Sequence, residues 1–400
     1  MEQFNILVKE MMVCKGIQDY DVYIEGNSNV GDGYMGEMIF FKIISRKDGK
    51  TSNLIMKLAK TDKKLRKATT LEVNFQREIF MFTTVFNTLQ RFLSEKNKSS
   101  DLHYVPKLFW SSKEYMKEAV VLENLKSVGF EMWRSKERLD REHTMVVVRN
   151  FAKWHGTVMA YRDQHPDIFE EWIPQLQDIR YQLVIEMGFV NFTRKYFEQI
   201  VELLKMKGYA DIAKKYEKHL ENLDEIFQPA SEIKDRLVIT HADCWMNNIM
   251  FKFNGDKNRA YDCKFIDFQL SHVNTPIEDL SFFIYSASAE SVIDNPEDVL
   301  QEYYSILSNT MRSLGSDPHS IFTYSKLLDD WKRYGHFGVI SCIELIKLKY
   351  FREWEVPDFL KLSENGGHNI GEAFMKPIEN EEVYLAEVLK VFISFGNKYL

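Results

Sequence analysis

The apolar pattern of this chain changes its period near Leu125, and the change restricts the folds that the chain can adopt. Before that point, short apolar runs such as 37–44 and 53–59 have the length and composition of β-strands. Beyond it, apolar side chains recur at helical spacing, as over 144–162. The pattern therefore predicts a small β-rich part followed by a larger, mainly helical part.

The length of the chain favours the same division. Its 400 residues are too many for one compact core and suit two lobes. We predict an α+β fold in which residues 1–124 form a small antiparallel β-rich lobe and residues 125–400 form a large helical lobe. Asp48-Gly49 lies between two of the strand-like runs and predicts a hairpin, because such a turn needs a positive φ.

Composition and charge disfavour several classes of protein. With 52 Lys and Arg against 59 Asp and Glu, the net charge is -7, which argues against a nucleic-acid binder. The four cysteines are scattered without a CxxC pair, so neither a zinc site nor a disulfide framework is expected. The first residues do not resemble a signal peptide, and no run of about 18 apolar residues predicts a membrane span. We therefore expect a cytoplasmic protein with no obligate protein partner.

A carboxylate interrupts the apolar stripe of a predicted helix between two of the strands. The stripe consists of Leu71, Phe75, Ile79, Phe82 and Phe86. Glu78 lies on the same face, three residues after one member and four before another. A carboxylate buried on a helix face is costly unless a cation or hydrogen-bond donors meet it. Glu78 therefore predicts a buried partner.

A second unusual stretch is THADCWMNNIMF, residues 240–251, in which polar side chains crowd against an apolar run. Asp243 and Asn248 lie close together in it, and Asp267 follows in FIDFQ at the end of the next strand-like run. The turn at 254–258 between the two runs predicts another hairpin. Two carboxylates and a carboxamide suit a hard divalent cation such as Mg²⁺, with one carboxylate left to orient a hydroxyl group. The alternative is a set of capping and turn residues.

The combination HADCWMNNIMF and FIDFQ resembles the H-x-D, D-x4-N and D-F-x elements of the protein-kinase-like superfamily. Within it, the sequence is most similar to the ecdysteroid kinase-like (CHK kinase-like) family, which is akin to choline and aminoglycoside kinases. The resemblance extends from about Gly31 to Ser286. It implies a bilobal kinase-like fold, ATP and Mg²⁺ as cofactors, and phosphoryl transfer to an alcohol group.

The same resemblance assigns roles to residues of the polar stretch. Asp243 corresponds to the catalytic Asp, and His241 to the His that braces the catalytic loop. Asn248 and Asp267 correspond to the Mg²⁺ ligands. Ala242 stands where the family usually has Gly, so a positive φ there would strain the loop by about 1 kcal/mol or more.

In the β-rich lobe, the resemblance points to a nucleotide site. Lys57 corresponds to the strand lysine that bridges two phosphates of ATP, and Glu78 to the helix residue that holds it, whereas Lys60 is a less suitable substitute. The alternative is a surface lysine and an accidental helix-face glutamate. The triplet of Gly31, Gly33 and Gly36 precedes the Lys57 strand and suits a phosphate-covering loop, although a plain hairpin turn explains it about as well.

Three further positions have more than one interpretation. The backbone of Glu123 to Leu125 could bind adenine at a hinge, or could simply connect the lobes. Asp279 resembles a residue that supports the catalytic loop, but acidic groups also suit the first turn of a helix. His155 matches a family helix residue, and we interpret it as a packed structural histidine.

The acceptor is the least determined part of the prediction. Gln269 and the short segment from Asp267 to Asp279 leave little room for the activation segment of a protein kinase, which favours a small-molecule acceptor. The family implies an ecdysteroid or a hydroxylated xenobiotic, and hence a role in steroid hormone metabolism or detoxification. One alternative is a choline- or aminoglycoside-type kinase that uses Asp329, Asp330 and Trp331 to bind a cationic alcohol. Others are a catalytically silent pseudokinase and a nucleotide-independent carrier of lipophiles.

Overall fold

The structure is a computed structural model, and it describes residues 1–27, 36–98, 102–133, 137–227, 236–255, 259–352, 354–358, 361–362 and 370–400. Its first part is built on a five-stranded antiparallel sheet. The strands are β1 Tyr20–Asn27, β2 Gly36–Ser45, β3 Thr51–Ala59, β4 Leu108–Ser112 and β5 Ala119–Glu123. Their order in the sheet is β1-β2-β3-β5-β4. The predicted hairpin is confirmed as β2 and β3, and Gly49 in its turn has a φ of 69°.

Helix α1, Glu2–Cys14, covers one face of this sheet. Phe4, Leu7 and Met11 are buried along its inner side and pack with sheet residues such as Phe41. These residues form a hydrophobic cluster separate from the main core. We did not predict this helix, although its apolar residues recur at helical spacing.

The other face of the sheet carries the predicted helix with the apolar stripe. It consists of α2 Lys63–Ala68, α3 Leu71–Phe80, a π-helical turn Met81–Val85 and α4 Phe86–Glu95. All five residues of the predicted stripe are buried, and they join the main core. Glu78 is 1% exposed, so a carboxylate does lie buried on this face.

The remainder of the described chain is mainly helical. The helices up to the polar stretch are α5 Arg141–Gln164, α6 Pro166–Trp172, α7 Arg180–Glu186, α8 Phe189–Met206, α9 Ala210–Glu221 and α10 Leu223–Ile226. Those beyond it are α11 Pro276–Ala287, α12 Glu290–Ile293, α13 Pro296–Ser313, α14 Pro318–Ile321, α15 Tyr324–Tyr334, α16 His336–Tyr350, α17 Ile370–Phe374 and α18 Glu381–Tyr399. Short 3₁₀ turns span Leu125–Val128, Ile173–Leu176 and Met246–Asn248.

Two small antiparallel sheets lie within the helical part. One contains β6 Phe130–Met132, β8 Ile249–Phe253 and β9 Ala260–Phe265, and the other contains β7 Val238–Thr240 and β10 His272–Asn274. The β8–β9 pair confirms the second predicted hairpin.

Helices α11 and α16 cross at close range in the helical part. A Cβ on Gly338 of α16 would come within 2.2 Å of the backbone of Ser281 in α11, so only glycine permits this approach.

The predicted α+β class, with a small antiparallel sheet followed by a mainly helical part, is confirmed. The division of the chain into two lobes, 1–124 and 125–400, remains a prediction. Within the described residues, the helices are all too short or too polar to cross a membrane.

Candidate active site

The polar stretch forms a loop between β7 and β8. Asn248 Nδ2 donates hydrogen bonds to Asp243 Oδ2 at 2.9 Å and to the Asp243 carbonyl oxygen at 2.8 Å. These bonds hold the carboxylate of Asp243 in one orientation and turn the amide oxygen of Asn248 away from it. The first predicted pair of site residues is therefore in direct contact.

The β8–β9 hairpin brings Asp267 to the same place. Ile249 is opposite Phe265 in the ladder, and the N–H of Ile266 donates to the carbonyl oxygen of Asn248 at 3.0 Å. Asp267 follows directly, with a φ of 67°. Aspartate tolerates this left-handed conformation better than most residues do. The hairpin thus makes Asn248 and Asp267 neighbours although they are distant in sequence.

Lys57 connects the sheet to this loop. Its Nζ donates to Glu78 Oε2 at 2.8 Å and to Asp267 Oδ1 at 2.7 Å. Burial alone would lower the pKa of Lys57, but the two carboxylates outweigh burial, and the pKa is raised. Lys57 is therefore a buried cation, and it is the partner that the buried position of Glu78 requires.

Asp279 supports the loop by accepting hydrogen bonds from its backbone. It is fully buried in the first turn of α11, where Oδ2 accepts from the N–H of His241 at 2.8 Å and Oδ1 accepts from the N–H of Ala242 at 2.9 Å. His155 Nε2 lies 3.2 Å from Oδ2, and His155 Nδ1 lies 2.8 Å from the hydroxyl oxygen of Tyr303. Both interpretations of Asp279 therefore describe its position, since it lies in the first turn of α11 and also contacts the loop. His155 is buried and has a packing contact with Phe151.

His241 is bonded on both ring nitrogens. Its Nε2 lies 2.9 Å from the carbonyl oxygen of Ile266, and its Nδ1 accepts from the N–H of Asp243 at 3.3 Å. Burial lowers the pKa of His241, so the ring is neutral and Nε2 donates. Phe268 packs on this ring at 4.8 Å between centroids and also contacts Phe86 at 4.9 Å. The loop, the segment after the β8–β9 hairpin and helix α4 therefore pack together through these three rings.

Ala242 has a φ of 65°, the conformation in which a side chain is strained. The residue is also buried, and its N–H is fixed by Asp279. The departure from the family's glycine therefore does fall on a position with positive φ.

We expect Ala242→Gly to raise the free energy of unfolding by about 0.5–1 kcal/mol, because relief of the left-handed strain exceeds the entropy cost of glycine. The measurement is urea-induced unfolding. Ala386→Gly, in the middle of α18, is the matched control and should lower the stability by about 1 kcal/mol. A loss of stability for both variants would contradict the assigned strain.

The electrostatics of the loop favour a cation between the carboxylates. Burial raises the pKa of Asp243 well above its ordinary value, and the negative charge of Asp267 raises it further. Asn248 opposes this shift by its hydrogen bond, and the more distant positive charges of Arg180 and Lys57 oppose it too. A divalent cation near Asp267 would reduce the repulsion that Asp243 experiences.

The oxygen atoms present fit Mg²⁺ bound together with phosphates. Asn248 offers its amide oxygen and Asp267 a carboxylate, which are the hard ligands that Mg²⁺ prefers. Within the described ranges, no cluster of three or more His, Cys, Asp or Glu could hold a metal by protein ligands alone. Two protein oxygens are enough when waters and phosphates complete an octahedral shell. The donor set therefore fits a metal that arrives with a nucleotide.

Comparison with known proteins agrees with this geometry. The sequence model of the ecdysteroid kinase-like family matches residues 30–316, more than two thirds of the chain. The chain belongs to the ecdysteroid kinase-like family. It is therefore a small-molecule kinase with a kinase-like fold, a phosphotransferase whose acceptor is a hydroxyl group.

Two other comparisons were less informative. None of the curated proteins with which the chain was compared matches it. Among solved structures, the GDP complex of a mutant aminoglycoside 2′-phosphotransferase IIIa is similar at a TM-score of 0.39 and 10% identity, over 98% of this chain and 96% of that one. At this TM-score, the likeness adds nothing to the family assignment.

The predicted phosphate-covering loop of this kinase lies mostly outside the described residues, which include neither Gly31 nor Gly33. Gly36 begins β2. A Cβ at this position would come within 3.2 Å of the Leu58 carbonyl oxygen and 3.3 Å of Lys57 Cγ. The missing side chain therefore lets β2 pack closely beside Lys57.

The predicted hinge, Glu123 to Leu125, begins at the last residue of β5. The N–H of Glu123 donates to the carbonyl oxygen of Lys107 at 3.0 Å, and the N–H of Asn124 donates to that of Asn53 at 2.9 Å. Adenine would therefore have to contact other backbone groups of this segment. The side chain of Leu125 is buried.

A buried ion network that we did not predict lies beside the loop. Arg180 Nη1 donates to Glu278 Oε1 at 2.8 Å, and its Nη2 lies 3.3 Å from Asp178 Oδ2. His272 Nε2 lies 3.1 Å from Glu278 Oε2, and His272 is opposite Thr240 in the β7–β10 ladder. The network thus supports the strand from which the loop begins. One signal was present, because two acidic residues precede the apolar run of α11.

The cation site considered at Asp329, Asp330 and Trp331 does not form. Asp330 is buried and paired with Arg236, whose Nε lies 2.6 Å from Oδ2 and whose Nη2 lies 2.8 Å from Oδ1. Trp331 is buried in the core against Tyr285. Asp329 is exposed. These residues therefore do not converge on one ligand.

Proposed function

We propose that this kinase transfers a phosphoryl group from Mg²⁺-bound ATP to a hydroxyl group of a lipophilic acceptor, an ecdysteroid or a hydroxylated xenobiotic. The observation that carries the proposal is the double contact of Lys57 with Glu78 and Asp267. This contact links the sheet to the loop that contains Asp243. A nucleotide bound at Lys57 would thereby have its reacting end beside the candidate proton acceptor.

In this proposal, three residues hold the nucleotide and its metal. Lys57 binds phosphate oxygens, while Asn248 and Asp267 bind Mg²⁺, which supplies charge neutralisation for the transferred group. Glu78 keeps Lys57 in place through a buried ion pair. Phosphoryl transfer depends mainly on positioning and electrostatic stabilisation, so these few groups are sufficient.

Asp243 interacts with the hydroxyl group of the acceptor. Its Oδ2 is fixed by Asn248, which leaves the carboxylate positioned to accept the proton of an incoming hydroxyl. Its raised pKa makes the ionised form a stronger base than an ordinary aspartate. His241 and Asp279 act as positioning residues, because they hold the loop backbone on either side of Asp243.

The proposed acceptor is neutral and lipophilic. The helices beyond α5 contribute many buried aromatic side chains, and Asp330 is already neutralised by Arg236. A choline-like cation would instead need carboxylates and aromatic rings that converge on one place. The alternative of a cationic acceptor therefore has no supporting contact at Asp329 to Trp331.

Mass spectrometry of a mixed acceptor panel with Mg²⁺-ATP tests the proposal. The panel contains ecdysteroids, other sterols, phenols, choline, aminoglycosides and a generic protein. We expect one added phosphate on an ecdysteroid or a phenolic compound, and none when EDTA removes the metal. Phosphate on choline or an aminoglycoside alone would overturn the lipophile assignment. Absence of Mg²⁺-ATP binding would overturn the kinase mechanism itself.

A further inference from the structure

A buried arginine on α3 lies beside Glu78 and has no role in the chemistry proposed above. Arg77 is 4% exposed, and its Nη2 donates to the carbonyl oxygen of Gln177 at 2.6 Å. Among the described residues, nothing accepts a hydrogen bond from its Nε or Nη1, although both atoms are buried. A guanidinium that is removed from water with most of its donors unpaired destabilises the folded state. Stability alone therefore does not account for an arginine at this position.

The helical part meets Arg77 at one end of the buried ion network. Asp178 accepts from the backbone N–H of Arg180 at 2.7 Å, and Arg180 Nη1 donates to Glu278 Oε1 at 2.8 Å. Burial lowers the pKa of Arg77 to about 10, and the negative charge of Asp178 opposes this shift, so Arg77 is charged at neutral pH. Arg77 therefore connects α3 to the segment that leads through Arg180 to α11, the helix of Asp279.

Helix α3 lies between the lysine of the candidate nucleotide site and this segment of the helical part. Consecutive residues of a helix project about 100° apart, so Arg77 and Glu78 face different neighbours. Glu78 Oε2 accepts from Lys57 Nζ at 2.8 Å, while Arg77 contacts Gln177. A shift of α3 away from Gln177 would also move Glu78 relative to Lys57. The contact of Arg77 with Gln177 therefore affects where Glu78 holds the lysine.

We propose that Arg77 is a positioning residue of the nucleotide site, which holds α3 against the helical part so that Glu78 places Lys57 for the phosphates of Mg²⁺-ATP. The inference rests on the proposed function and deepens it. Because Arg77 makes one hydrogen bond to the helical part and keeps other donors buried and unpaired, it contributes to activity rather than to stability.

Loss of the Arg77 charge would not leave an unpaired carboxylate in the interior. Asp178 retains Arg180, whose Nη2 lies 3.3 Å from its Oδ2, and His272, whose Nε2 lies 3.5 Å from the same atom. Gln177 is exposed, so water can replace the lost donor. Replacing a poorly compensated buried charge with an apolar side chain is often neutral or stabilising. We therefore expect Arg77→Met to be at least as stable as the wild type.

Equilibrium dialysis of Mg²⁺-ATP against the full-length protein, together with urea unfolding, tests the inference. Arg77→Met should raise the Kd for Mg²⁺-ATP about tenfold, because Lys57 is then less well placed for a phosphate oxygen. The urea concentration at the midpoint of unfolding should stay the same or rise. Arg77→Lys keeps a cationic donor and should recover most of the affinity. In a Glu78→Gln background, Arg77→Met should cause no further loss of affinity, because its effect passes through Glu78.

Arg91→Met, the same substitution at an exposed position of α4, is the matched control and should change neither the affinity nor the midpoint. Unchanged Mg²⁺-ATP affinity of Arg77→Met would overturn the inference and leave the kinase mechanism standing. A loss of affinity that recurs in the Glu78→Gln background, or that accompanies a lower unfolding midpoint, would overturn it as well, since either result indicates a merely structural residue. Wild-type protein that does not bind Mg²⁺-ATP would overturn the proposed function, and the inference with it.

Discussion

Replacing Asp243 with Asn is expected to lower kcat by about 10²- to 10⁴-fold, because the amide cannot accept the proton of the acceptor hydroxyl. Mg²⁺-ATP affinity should change little, since Lys57 and Asp267 remain. The stability should not fall, because burial and the charge of Asp267 already disfavour an ionised group at this position. Steady-state kinetics and chemical unfolding provide the two readouts.

Asp329→Asn provides the matched control, because it removes the charge of an exposed aspartate on α15. It should leave kcat, nucleotide affinity and stability unchanged. Full activity of the Asp243 variant would show that another group accepts the proton. Equal losses in kcat and in nucleotide affinity would instead indicate a damaged loop.

Replacing Asp279 with Ala is expected to lower the free energy of unfolding by about 3–5 kcal/mol. The change removes the acceptor of two backbone N–H groups, those of His241 and Ala242, and leaves both donors buried. It also removes the carboxylate beside His155. Asp279→Asn keeps one amide oxygen and should lose less, about 1–3 kcal/mol. Urea unfolding measures both values.

Hydrogen exchange separates a local effect from a global one. In the Asp279→Asn protein, one of the two amides, that of His241 or that of Ala242, should exchange faster than in the wild type, because the asparagine keeps only one oxygen acceptor. Asp317→Ala is the control: this exposed residue caps the short helix α14 by accepting from the N–H of His319, and its loss should cost about 1 kcal/mol. A loss at Asp279 no larger than that at Asp317 would contradict the support that we assign to Asp279.

Local patterns were enough to predict much of the fold and part of the site. Both hairpins follow from apolar runs on either side of a turn, and the buried helix stripe follows from its spacing. A buried partner for Glu78 could be anticipated because a buried carboxylate requires a cation or hydrogen-bond donors, and the family resemblance pointed to Lys57 as that partner. The contact of Asp243 with Asn248 is local as well, since the two residues belong to one loop.

Contacts between distant segments could not be predicted in this way. Arg180 meets Glu278 across 98 residues, and Arg236 meets Asp330 across 94. No periodicity in either segment indicates the other, because ion pairs of this kind depend on how the helices cross. The proximity of α16 and α11 depends on Gly338, whose role appears only when the two backbones are seen in contact.

The most direct test of the central claim is a reaction of ecdysone with Mg²⁺-ATP labelled with heavy oxygen in the γ-phosphoryl group. The product is analysed by mass spectrometry after fragmentation. The mechanism predicts a steroid phosphate that retains the labelled non-bridging oxygens, with an unlabelled bridging oxygen from the acceptor hydroxyl. The Asp243→Asn protein should form much less of it. A product with a labelled bridging oxygen, or equal product from the Asp243→Asn protein, would contradict attack by a hydroxyl that Asp243 activates.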